Sequence, residues 1–118
     1  MSITKKVING NEYMFVNSSR GNRSGFVHES KLYKNDRLIS EYKIQYYNRT
    51  WECYQYQSVM RGAVNILIGE MRESYKENWK NAHGFKNLTE ARRKAMHADF
   101  INNPPENYAE LEELYKTL

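Results

Sequence analysis

Two arginines on a polar, glycine-bearing stretch offer the clearest contact chemistry in this sequence. In residues 18–25, SSRGNRSG, Arg20 and Arg23 can reach phosphate or carboxylate oxygens, and backbone amides beside the glycines can join them. The same composition also suits a solvated loop or flexible hairpin tip, and both readings stand at this stage. Arg49 in YYNRTWE is a third guanidinium, able to meet a partner, to stack on Trp51 or Tyr47, or to pair with Glu52. Around it Tyr42, Tyr46, Tyr47, Tyr54 and Tyr56 crowd Trp51. Tyrosine supplies a large contact area at low entropic cost and carries a polar handle, which fits a core seam, a protein-binding surface or a stacking platform for bases. Their phase with Ile44 and Met60 assigns Tyr46 and Tyr56 to the core and leaves Tyr47 and Tyr54 partly exposed. The candidate partner-binding residues are therefore Arg20, Arg23, Tyr47, Arg49 and Tyr54.

Other chemistries find little support. His28, His83 and His97 are scattered without metal-ligand spacing. Cys53 is a lone cysteine, which cannot form an internal disulfide and points to a reducing compartment. A nucleophilic role for it would need a base within hydrogen-bond reach, and nothing local supplies one. Glu70, Glu73 and Glu77 sit within reach of Lys76 and Lys80 on a solvated helix face. With no phosphate-cradling loop, nucleophile elbow or carboxylate pair, the expectation is no catalytic, cofactor or metal site, and an enzyme is the least supported class.

The elements that must position these residues follow from pattern. At 118 residues, 40% hydrophobic and 27% charged, the chain fits one domain with a modest core. ITKKVI and NEYMFV flank Asn9-Gly10, a two-residue hairpin signal. Within residues 26–33, Val27 and Leu32 are the clearest apolar positions; Lys34-Asn35-Asp36-Arg37 is a turn, and LISEYKIQYY is a strand with Leu38, Tyr42, Ile44 and Tyr46 on one face. After Trp51 the period changes. Met60, Ala63, Val64, Leu67, Met71, Tyr75 and Trp79 recur at helical spacing until Gly84, which suits a C-terminal cap. Gly62 and Gly69, seven apart, offer close approach to strands or a partner helix. Thr89 caps a second helix broken at Asn102-Asn103-Pro104-Pro105, and Tyr108, Leu111, Leu114, Tyr115 and Leu118 line a third. The predicted fold is α+β: a small antiparallel sheet of about four strands, then a long amphipathic helix and two shorter C-terminal helices. Residues 1–84 form the sheet and long helix, and residues 85–118 a helical extension.

Charge is unevenly spread. The net charge is +4, with nine Lys/Arg against four Asp/Glu in residues 1–50 and a mildly acidic C-terminal third. No run approaches the ~18 apolar residues of a membrane span, and MSITKKVING has no apolar signal-like segment. No membrane association and a cytoplasmic location are expected.

The segment YYNRTWECYQYQSVMRGAV, residues 46–64, resembles the central block of small orphan proteins of Firmicutes phages and mobile elements, and the preceding GFVHESKLYKNDRLISEY has the same character. The resemblance spans residues 11–84 and weakens over the C-terminal helices. Several such proteins are counter-defence factors, including anti-CRISPR proteins that block type II RNA-guided nucleases. The resemblance implies an inhibitor acting in the bacterial host cytoplasm, binding the nuclease or its guide-RNA complex, with no cofactor and no turnover. It carries no motif that transfers active residues position by position. The basic charge departs from inhibitors that imitate the phosphate backbone; only the acidic helix with Glu106, Glu110, Glu112 and Glu113 could do so here. Two other readings stand beside it. One is a small basic accessory protein that contacts phage or plasmid DNA or RNA directly. The other is an assembly protein that forms a homodimer through the long helix at Gly62 and Gly69.

Overall fold

A computed structural model describes residues 1–47 and 55–118. Strands β1 (Ser2–Ile8), β2 (Asn11–Asn22), β3 (Gly25–Lys34) and β4 (Arg37–Tyr46) form one antiparallel meander in that spatial order. Helices α1 (Gln57–His83), α2 (Glu90–Asn102) and α3 (Tyr108–Lys116) follow. This is the α+β arrangement that the sequence pattern predicts.

The turns are as short as the chemistry allows. Asn9 and Gly10 adopt φ 52° and 79°, and Asn35 and Asp36 adopt 49° and 67°, the left-handed values that match the twist of a two-residue hairpin. The stretch at residues 18–25 is more ordered than a loop: β2 and β3 remain paired to Asn22 and Gly25, so that only Arg23 and Ser24 form the tip. Its residues continue the strand alternation, which polar composition alone had disguised.

One face of the sheet is covered. Tyr13, Phe15 and Leu32 pack with Ala63, Val64 and Ile68 of α1 and with Leu111 and Leu114 of α3 in a single core. The third helix therefore belongs to the core of the sheet domain. By contrast, α2 buries no residue fully; it is tied to α1 by a hydrogen bond from Trp79 Nε1 to Asp99 Oδ2 at 2.8 Å and by rings of Tyr75 and Phe100 5.0 Å apart. Thr89 caps it, accepting from the Arg92 amide, and Gly84 ends α1 at φ 69°.

One expectation, the facing of Leu38, is corrected here. Leu32 opposes Ser40, whereas Tyr33 opposes Leu38, so Ile39 is an extra residue on β4. Such a bulge inverts the alternation beyond it. Leu38 thus leaves the face shared by Tyr42, Ile44 and Tyr46 and stands 47% exposed on the other side. Val27 and Leu32, at odd and even positions of β3, point to opposite faces: Leu32 is fully buried and Val27 lies half-buried on the face away from the helices. As for the long-helix homodimer, a Cβ at Gly62 would lie 2.3 Å from the Tyr42 ring, while Gly69 has open space around it. Gly62 is thus filled by the chain's own sheet, and the expected helix–helix contact loses one of its two close-approach points.

Candidate functional site

The hairpin tip between β2 and β3 is held against the end of β4. Gly25 has φ 139°, a conformation side chains with a Cβ rarely adopt, and a Cβ there would lie 2.0 Å from the Tyr46 carbonyl oxygen. Only glycine lets the two backbones meet. Gln45 Nε2 fastens the same corner by donating to the carbonyls of Phe26 at 3.1 Å and Tyr46 at 3.0 Å. Behind it His28, buried, has the Tyr46 ring 5.2 Å away edge-on and the Tyr56 ring 5.0 Å away. The Tyr56 hydroxyl donates to Ser19 Oγ at 3.3 Å. Tyr46 and Tyr56, assigned to the core, are half-buried parts of this aromatic wedge.

On this support three of the five candidate residues come to one end of the sheet. Arg20 and Arg23 are exposed, and Tyr47 is 73% exposed. Among the described residues neither arginine forms an ion pair. Guanidinium forks with no ion pair among the described residues, at the same end of the sheet as an exposed phenol ring, can take carboxylate or phosphate oxygens and stack on a planar group. Arg49 and Tyr54 lie outside the described residues, as do Trp51, Glu52 and Cys53.

The opposite end holds a polar cluster that sequence reasoning missed. Glu110 on α3 is buried, and its Oε1 accepts from the Tyr13 hydroxyl and from Asn11 Nδ2 at 2.9 Å and forms an ion pair with Lys34 Nζ at 3.6 Å. Burial pushes the Glu110 carboxyl up, but the hydrogen bonds from Tyr13 and Asn11 and the Lys34 charge outweigh it and hold the group below its ordinary value. The Tyr13 phenol is pushed well above its ordinary value, first by burial and then by its hydrogen bond to, and the charge of, Glu110. The hydrogen-bonding groups here face one another, so the cluster reads as a latch joining α3 to the hairpins. Beside it Tyr13, Lys34, Ile39, Leu67, Met71 and Leu111 line a cleft of about 500 Å³. Only the spacing of Glu110 within the apolar stripe of α3, one residue before Leu111, could have hinted at burial. The latch also removes Glu110 from any phosphate-imitating array, leaving Glu106, which precedes α3, and Glu113 exposed and Glu112 half-buried.

Among the described residues no group of His, Cys, Asp and Glu is placed to hold a metal ion, and no helix is long and apolar enough to cross a membrane. Comparison with protein-family models, curated proteins and solved structures finds no match.

Proposed function

We propose that this chain is a phage or mobile-element counter-defence protein that inhibits a bacterial type II RNA-guided CRISPR nuclease by stoichiometric binding. The observation that carries the binding reading is the hairpin end, braced at Gly25 and Gln45, that presents Arg20, Arg23 and Tyr47 to solvent with the arginines in no ion pair among the described residues. The choice of nuclease rests on the resemblance of residues 46–64. A pre-organised, cation-bearing end loses little entropy on docking, which suits inhibition by occupancy. The contacted surface is an acidic patch of the effector or the phosphates of its guide RNA.

The test is a pull-down of tagged protein from a host lysate with an active type II system, with and without RNA digestion. Recovery of the nuclease supports the proposal, and loss of that recovery after digestion assigns the contact to the guide. Reversing both loop arginines (R20E/R23E) weakens binding about 100-fold, equivalent to about 2.7 kcal/mol, with thermal stability nearly unchanged. Unchanged inhibition by that variant removes the hairpin end from the account.

The excess of positive charge in residues 1–50 favours a second reading, an accessory protein that contacts DNA or RNA directly. It requires affinity that falls steeply with salt through counterion release. Salt-insensitive or absent binding to single- and double-stranded probes sinks it.

A further inference from the structure

Among the described residues the helices pack on one side of the sheet, and none covers the other side. The register defines what that bare side displays. Ile3 stands beside Val16, and Lys5, Met14, Tyr33 and Leu38 form the next row across all four strands. Ile3, Val7 and Leu38 are 52%, 71% and 47% exposed, and Met14, Val16 and Tyr33 between them are half-buried. A contiguous apolar band on one face of a small sheet is an unusual surface to leave in water.

We propose that this face is the interface of a homodimer, its occupant a second copy of the chain packed sheet against sheet. Charge selects that occupant. The chain as a whole carries +4, yet on this face, short of the hairpin end that holds Arg20, Lys5, Lys31 and Lys43 are interspersed with Glu12, Glu29 and Glu41. Glu29 already pairs with Lys31 at 3.8 Å and Lys43 at 3.6 Å. Nucleic acid would call for an excess of cations. A surface of both signs is instead complementary to itself, because a two-fold axis brings the same patch to both sides. The area also suffices. Strands ~4.8 Å apart and rising ~3.4 Å per residue give four strands of this length a face on the order of 600 Å². Two such faces bury on the order of 1,200 Å², the lower end of specific interfaces.

Sedimentation equilibrium of the full chain tests this without any nuclease, so its outcome is independent of the proposed function. A particle of twice the 14.1 kDa chain mass is expected at protein concentrations on the order of 10–100 µM. Val7→Glu with Leu38→Glu, both at exposed positions, raises the dimer dissociation constant by at least about 100-fold while the far-ultraviolet spectrum of the monomer stays native. Ile101→Glu, on α2 and 63% exposed, leaves the dimer intact. A wild-type monomer throughout that range overturns the proposal and leaves the face to a foreign protein. A dimer that survives the double substitution, or one dissociated by Ile101→Glu, overturns it equally.

Discussion

At one end of the sheet, where the Asn9-Gly10 and Asn35-Asp36 turns lie, polar groups are cross-linked: Asn35 Nδ2 donates to Asn11 Oδ1 at 3.0 Å, the Glu12 amide donates to Asn35 Oδ1 at 2.9 Å, and Glu110 gathers Asn11, Tyr13 and Lys34. At the other end an aromatic wedge stiffens the backbone, while Arg20 and Arg23 are left without an ion pair among the described residues. Both ends are braced by internal contacts, but charge is consumed in holding the fold at the first and kept available at the second. A charge that already satisfies a buried neighbour cannot be lent to a partner without unfolding something. A charge held on a stiff, solvated tip can be.

The contrast can be broken most forcefully at the latch. Glu110→Ala leaves the Tyr13 hydroxyl and Lys34 without their buried partner and is expected to cost about 3 kcal/mol, read by chemical denaturation. A loss under 1 kcal/mol would mean that the latch is ornamental. The pH dependence sharpens the same point. Because the folded Glu110 pKa lies below the ordinary 4.5, its contribution is complete above that value and is lost as the pH falls through the folded pKa. For Tyr13 the folded pKa is raised, so its contribution is complete below the ordinary 10.0 and declines as the pH rises toward the folded value. Melting temperature against pH should show both wings, and Tyr13→Phe should shrink the alkaline one, to which the raised Tyr75 phenol also contributes.

Smaller effects separate covered from open positions on α1. Gly62→Ala drives a methyl into the Tyr42 ring and is expected to destabilise by about 1 kcal/mol net of the helix-propensity gain. Gly69→Ala, with nothing within 4 Å, is expected to stabilise by about 0.5–1 kcal/mol. Equal signs for the two would refute the assigned packing of Gly62. The smallest effect belongs to the available end: R20E/R23E should shift folding stability by no more than about 0.5 kcal/mol, so a large loss there would show that those arginines serve the fold after all.

Local chemistry made most of the architecture legible. The Asn9-Gly10 and Asn35-Asp36 turns, the Thr89 cap, the Gly84 stop and the apolar period of α1 each depend on neighbours within a few residues, and each reads correctly from order alone. What escaped depends on distant partners. Nothing near Glu110 announces that Asn11 and Tyr13, 99 and 97 positions away, will neutralise the penalty of its burial. The bulge at Ile39 leaves no mark in the alternation it inverts, so Leu38 reads as inward. At the candidate site, the exposure of Arg20, Arg23 and Tyr47 follows from polarity and phase. The stiffness of their support does not, since it depends on Gly25 meeting the Tyr46 backbone across the sheet. Arg49 and Tyr54 fall outside the described residues.

The span of the latch has a consequence for how the protein is made. The inner face of the sheet, with Tyr13, Phe15 and Leu32, is covered jointly by α1 and α3, and α3 is the last element in chain order. At synthesis rates of about 5–20 residues per second, the interval between the emergence of Tyr13 and of Glu110 is roughly 5–20 s. For that time the nascent hairpins carry an apolar surface that only α1 can begin to shield. The nascent chain is therefore most exposed to chaperones and to premature strand pairing with its neighbours in the seconds before Glu110 arrives.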